Sequence, residues 1–234
     1  MTEPVAMLFD LDGTLIHSSA DLAHAVNVMR AAYGLPEVDL EAVESWIGHG
    51  VEPLIHRSLT GDHDGRVDEA RLREALAVFR PAYLATGFAR TELARGAVRA
   101  IEALDSAGHP CAVVTNKPTA PTLAILEKFG LFDRFRAVVC GDTLPVRKPD
   151  PAPLIHALEL CGTNLGWMVG DSDADAAASD AAGLPFIAIR GGYGRDADPS
   201  GFPRTPALLL DSPAELIDEG NRPLEMLRHP PALS

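Results

Sequence analysis

Three short, uniformly apolar runs, residues 5–8, 112–114 and 167–169, each stop abruptly on polar side chains. The first gives way to Asp10-Leu11-Asp12-Gly13-Thr14 and the second to Thr115-Asn116-Lys117-Pro118. The third gives way to Gly170-Asp171-Ser172-Asp173-Ala174-Asp175. A strand that is apolar at every position has both faces buried, as in a parallel sheet covered by helices on each side. Helical stretches do separate these runs: 97–104 closed by Gly108, 123–129 closed by Gly130, and one opened by Asp150-Pro151. In that last stretch the aspartate caps and the proline suits the first turn. Further strands are expected at 137–140, 186–189 and 207–210. The alternation predicts an α/β protein with a doubly wound parallel sheet.

One long segment breaks the alternation. Leu22, Val26, Met29 and Tyr33 recur at helical spacing, and Gly34 with Pro36 ends that helix. Leu40, Val43 and Ile47 continue the period until Gly48-His49-Gly50 interrupts it. Two more stripes follow, one over Val51, Leu54, Ile55 and Leu59, the other over Leu72, Leu76, Phe79 and Tyr83. Residues 17–88 therefore read as an all-helical insert between 1–16 and 89–228, which form the α/β core. A Gly/Pro-rich loop is expected over 191–206 and a loose tail over 229–234.

Charge and composition narrow the classes. With 20 basic and 33 acidic residues the formal net charge is −13, so neither nucleic acid nor an anionic membrane is an expected partner. No apolar run reaches membrane-spanning length, and the start of the chain lacks the basic segment of a signal peptide. The three cysteines, Cys111, Cys140 and Cys161, sit among apolar neighbours without metal-ligand spacing. Buried reduced thiols, and with them a cytoplasmic location, are the expectation.

In open α/β sheets ligands bind beyond the carboxyl ends of the strands, where three polar clusters are expected to meet. Asp10 and Asp12 are close enough to face one site, and Asp171 and Asp175, four apart, are expected to face back toward it. Carboxylates crowded this way repel, so a pKa must rise unless a cation intervenes. Oxygen ligands with room for water suit Mg²⁺. Lys148, held by the stiff Pro149-Asp150-Pro151 that follows, is the available fixed positive charge. Asp142 reads as a turn residue, and Asp173 is expected to point elsewhere.

These four segments, Asp10 to Thr14, Thr115-Asn116, Lys148-Pro149 and Gly170 to Asp175, resemble the motifs of the haloacid dehalogenase-like phosphohydrolases. The helical insert stands where that superfamily carries a helical cap. Trp46-Ile47-Gly48-His49-Gly50, Val114 to Pro118 and Gly141 to Pro145 with Arg147 to Pro151 resemble its phosphoglycolate phosphatase subfamily. Two departures are His17, where many relatives have Asp, and Arg95-Gly96 in place of Pro-Gly after the cap.

The resemblance implies a Mg²⁺-dependent phosphomonoester hydrolase that forms an aspartyl-phosphate on Asp10, with phosphoglycolate as the expected substrate. Asp12 would act as acid and then base. The ion would be held by the side chains of Asp10 and Asp171 and the backbone carbonyl of Asp12, with Asp175 acting through waters or Lys148. Thr115, the Asn116 backbone and Lys148 would hold the phosphoryl oxygens. Gly48-His49-Gly50 would contact the substrate, with His49 and Arg57 as candidate donors to its carboxylate. The expected partner is a small organic phosphate, and the expected assembly a monomer or homodimer. A phosphatase or phosphomutase of the same scaffold acting on another sugar or organic phosphate is the alternative, while Asp12 argues against dehalogenation. A phospho-accepting receiver module shares the acidic pocket but has no place for the helical insert.

Overall fold

β1 (Val5–Phe9) is buried at all five positions, and its alternate residues enter two different apolar clusters. Val5, Met7 and Phe9 join one with Ile101 and Leu104, while Ala6 and Leu8 join the other with Leu154 and Leu158. Both faces of the strand are thus covered, which is why its sequence shows no polar alternation. The structure, a computed structural model, describes residues 3–193, 202 and 205–231. Most of the stretch expected as a Gly/Pro-rich loop (194–201 and 203–204) and the last three residues of the tail lie outside the described residues.

After β1 come β2 (Ile16–His17), α1 (Ser19–Ala32), α2 (Leu40–Glu44), α3 (Val51–Thr60), α4 (Glu69–Ala85) and β3 (Glu92–Leu93). The chain continues through α5 (Ala97–Ser106), β4 (Cys111–Val114), α6 (Thr119–Lys128), β5 (Ala137–Val139) and α7 (Ala152–Cys161). It then runs through β6 (Leu165–Gly170), α8 (Asp173–Ala181), β7 (Phe186–Ile189) and β8 (Leu208–Leu210). Six strands form one parallel sheet in the order β5-β4-β1-β6-β7-β8. The order reverses around β1, since the chain builds outward through β4 and β5 and then crosses to β6. A ligand crevice belongs at such a reversal.

The four helices α1–α4 fall within residues 19–85, and a two-stranded antiparallel ribbon joins their ends to the sheet. In it Ile16 pairs with Leu93 and His17 with Glu92, where the sequence pattern passed straight from strand to helix at residue 17. Two-residue strands carry no periodicity, so only the pairing reveals them. Asp21, buried in the first turn of α1, accepts from the Arg90 N–H at 3.0 Å and from Thr91 Oγ1 at 2.8 Å. These bonds offset the cost of burying its charge. The larger apolar cluster runs without a break from β1 through Leu11 and Leu15 into α1, α3 and α4.

α6 begins at Thr119, earlier than its apolar period suggests. Pro121 lies in the first turn, where a missing N–H costs nothing, and the Asp142 carboxylate accepts the Thr119 N–H at 2.9 Å. In the same apolar cluster as Ile125 and Leu126 of α6, Trp167 is fully buried, and its indole N–H donates to Leu227 O at 3.1 Å. That bond spares a buried donor a penalty of about 1–3 kcal/mol.

Candidate active site

Asp10 is the first residue past β1. Its N–H still donates to Val169 O at 2.9 Å, so strand pairing delivers it to the sheet margin. The Leu11 N–H donates to its Oδ1 at 2.7 Å. Asp171 follows β6 directly, and Asp175 lies in the first turn of α8. Oxygens of these three buried carboxylates all lie within 4.8 Å of one another. Lys148 enters from the loop before α7. Its Nζ is 3.0 Å from Asp10 Oδ1 and donates to Asp175 Oδ1 and Val114 O, each at 2.6 Å.

Local chemistry fixes each carboxylate. Thr14 Oγ1 donates to Asp171 Oδ1 at 3.0 Å, and the Tyr193 N–H donates to Oδ2 at 2.7 Å. Gly13 has φ +85°, and a Cβ there would stand 2.3 Å from Asp171 Oδ2. A Cβ on Gly192 would stand 2.2 Å from the same oxygen. Asp171 is therefore enclosed by two backbone segments that only glycine lets so close. Asp175 and Ser172 form a capping box at the start of α8: Ser172 Oγ accepts the Asp175 N–H at 3.3 Å, and Asp175 Oδ2 accepts the Ser172 N–H at 3.1 Å.

The electrostatics follow from that enclosure. Burial, with the neighbouring Asp175 charge, pushes the Asp10 carboxyl up to about 7 despite Lys148. Burial and the charges of Asp10 and Asp175 also raise Asp171 well above the usual carboxylate range. Burial alone would depress Lys148, but the flanking Asp10 and Asp175 outweigh it and hold the ammonium charged. Three carboxylates against one ammonium leave the cluster short of positive charge. A second cation would relieve this, and the donors are oxygens, which suits a hard divalent ion.

A second, partly buried pair lies beside the first. Lys117 Nζ donates to both oxygens of Asp12, at 3.0 and 2.9 Å, and Ser18 Oγ donates to Asp12 Oδ1. The same ammonium sits 4.8 Å from the centre of the Tyr83 ring on α4, a cation–π contact between the two halves of the molecule. Thr115 Oγ1 accepts the Lys117 N–H at 3.2 Å. Asn116 Nδ2 donates to Lys148 O at 2.9 Å and to Gly48 O at 3.2 Å. Above these groups a cavity of ≈ 320 Å³ opens between sheet margin and helices, with Asp10, Asp12, Thr115 and Asn116 on its floor. Gly50, Phe79 and Tyr83 line its helical side.

Residues 7–189 match the sequence model of the haloacid dehalogenase-like hydrolases. The chain belongs to that family. It is similar to the phosphoglycolate phosphatase of Nitrosospira multiformis, 44% identical over 195 residues that cover 82% of this chain and 86% of that protein. Phosphoglycolate phosphatase 1 of Pseudomonas aeruginosa is 37% identical over 238 residues, covering 99% of this chain and 85% of its own. Among solved structures, a predicted phosphoglycolate phosphatase from Haemophilus somnus superposes with a TM-score of 0.79 at 28% identity. That match covers 92% of this chain and 97% of that one. CbbY from Rhodobacter sphaeroides, solved with phosphate, superposes at 0.74 with 26% identity, covering 94% and 99%.

In this haloacid dehalogenase-like hydrolase the residues singled out by sequence divide into two groups. Asp10, Asp171, Asp175 and Lys148 meet in one buried cluster, and Asp12, Thr115 and Asn116 line the cavity beside it. The proposed carboxylate donors do not join them. His49 Nε2 faces Asp173 Oδ1 at 3.4 Å, and that hydrogen bond draws the Asp173 carboxyl below its usual range. Arg57 is buried, donating from Nε to His63 O at 2.9 Å and from Nη1 to Trp46 O at 3.0 Å. Neither lines the cavity, whereas Gly48 and Gly50 do. An arginine one turn from a helix end finds free carbonyls to bond, and a helical stripe does not reveal that. Sequence reasoning also passed over Lys117 and Tyr193. Lys117 had a signal, a lysine directly after Thr115-Asn116 at a strand exit. Tyr193, whose Oη accepts the N–H groups of Ser18 at 2.7 Å and Ser19 at 3.0 Å, had none.

Proposed function

We propose that this hydrolase releases phosphate from phosphoglycolate through an aspartyl-phosphate on Asp10. The observation that carries the reading is the buried cluster of Asp10, Asp171 and Asp175 around Lys148, at the floor of a cavity. The choice of substrate is supported by relatives 37–44% identical over most of the chain that are named phosphoglycolate phosphatases.

Asp10 attacks phosphorus, and the bond to the ester oxygen breaks as the bond to the carboxylate forms. Asp12, fixed by Lys117 and Ser18, gives a proton to the departing alkoxide. It then takes one from the water that attacks the aspartyl-phosphate, which returns Asp10 as carboxylate and releases phosphate. Lys148, Thr115 and the Asn116 backbone stabilise the phosphoryl oxygens. Asp10 and Asp171 through their side chains, and Asp12 through its carbonyl, would hold Mg²⁺. Asp175, whose Oδ1 already accepts from Lys148 Nζ at 2.6 Å, would act through water or through that lysine. The ion would supply the missing positive charge and polarise the phosphoryl group.

The helices over 17–88 act in this reading as a cap that excludes water and sorts leaving groups. The cap touches the core through Asn116 with Gly48, Arg147 with Glu52 at 3.1 Å, and Lys117 with Tyr83. Three buried free thiols support a cytoplasmic location. Among the described residues no helix is long and apolar enough to cross a membrane. Steady-state phosphate release from phosphoglycolate and a panel of sugar and organic phosphates, with and without Mg²⁺, tests the reading. Phosphoglycolate should give the highest kcat/KM and only with the ion. A higher kcat/KM for any sugar phosphate would replace the substrate, and activity undiminished by EDTA would remove the metal.

A further inference from the structure

The cavity above Asp10 is lined by three long cationic side chains, and two already have anionic partners. Lys117 is held by both oxygens of Asp12. Arg147 reaches across from the core to Glu52 on α3, Nη2 to Oε2 at 3.1 Å. The third, Arg80 on α4, pairs with no acidic side chain among the described residues, yet it lines the same cavity as Asp10 and Thr115. On that helix Phe79, Arg80, Tyr83 and Leu84 face the cavity together, and the neighbouring wall is apolar, formed by Leu22, Val51 and Leu54.

Exposed at the cavity's edge, the Arg80 guanidinium is open to an anion entering the cavity. Its forked N–H groups match a carboxylate at two points. Asp10, Asp12 and Glu52 make the rest of the lining unwelcoming to a second anionic group. We infer that Arg80 is a specificity residue that binds the carboxylate of the substrate's leaving group while the phosphoryl group sits at Asp10. This rests on the reading of Asp10 as the reaction centre, and it takes the role that sequence assigned to His49 and Arg57.

The test uses two pairs of esters that differ chiefly in charge: phosphoglycolate against 2-hydroxyethyl phosphate, and 3-phosphoglycerate against glycerol 3-phosphate. For each pair the ratio of kcat/KM, acid over neutral, is measured with Mg²⁺ for wild type, Arg80→Met and Arg80→Lys. A charge-assisted, two-point contact predicts that Arg80→Met lowers the ratio about tenfold or more, chiefly through KM. Arg80→Lys should retain an intermediate ratio. A ratio in Arg80→Met within twofold of wild type overturns the inference, as does a wild type with no preference for the acid in either pair. A wild type that prefers 3-phosphoglycerate to glycerol 3-phosphate but ignores phosphoglycolate would refute the proposed substrate. The Arg80 inference then stands or falls on the second pair. The exposed position of Arg80 makes loss of folding an unexpected outcome, and the neutral esters report on it directly.

Discussion

Replacing Asp10 with Asn should stabilise the metal-free protein, and by an amount that grows with pH. The carboxyl is held at about 7 in the folded chain, against an ordinary value of 3.8. A raised pKa means that the folded state keeps the proton where the unfolded chain has lost it. The stability this contributes is fully present below 3.8 and is lost as pH climbs through about 7. At 1.36 kcal/mol per pKa unit, the raised pKa costs the fold about 4 kcal/mol at pH 8 and about 2 kcal/mol at pH 5. Asparagine keeps the acceptor for the Leu11 N–H and carries no charge. The stability gap between Asp10→Asn and wild type should therefore widen by about 2–3 kcal/mol between pH 5 and pH 8. Urea unfolding in EDTA at four pH values measures it directly. Millimolar Mg²⁺ should then shrink the gap at pH 8, because an ion bound only by the folded, ionised cluster stabilises wild type more. A gap that does not change with pH would refute the reasoning, since the crowding of Asp10, Asp171 and Asp175 would then carry no electrostatic cost.

Two further outcomes follow from the same geometry. Lys117→Met leaves Asp12, partly buried on the cavity floor, without its ammonium partner, which should cost about 1–3 kcal/mol of stability. The double variant with Asp12→Asn should recover much of that in urea unfolding, and equal losses in the single and double variants would dismiss the pair. Gly13→Ala puts a Cβ 2.3 Å from Asp171 Oδ2 at a φ of +85°, for a strain of about 1–3 kcal/mol. Calorimetric titration with Mg²⁺ should show weakened binding along with a lowered Tm, and unchanged affinity would mean that Asp171 is free to move aside.

Chain chemistry alone carried a good deal of this protein. Continuous apolar runs such as 5–8 are legible because burial on both faces removes every reason for a polar residue. Helices were equally legible, because Leu22, Val26 and Met29 must share one face. The polar exits Asp10, Thr115 and Asp171 could be nominated because strand ends gather in a parallel sheet whatever its order. What escaped depended on where side chains end rather than where they begin. Arg57 is a long cation on a helical stripe, and its position says nothing about whether it reaches a substrate or the Trp46 and His63 carbonyls. Lys117 becomes the partner of Asp12 only once β1 and β4 lie side by side. Tyr193 bonds Ser18 and Ser19 across some 175 residues of chain, and Asp171 across 22. The pairing β2–β3 exists only because α1 to α4 return the chain to its point of departure. Periodicity is a property of neighbours in sequence, and it fixed the elements. The charge balance of the site depends on distances between elements, so it was decided by the tertiary structure.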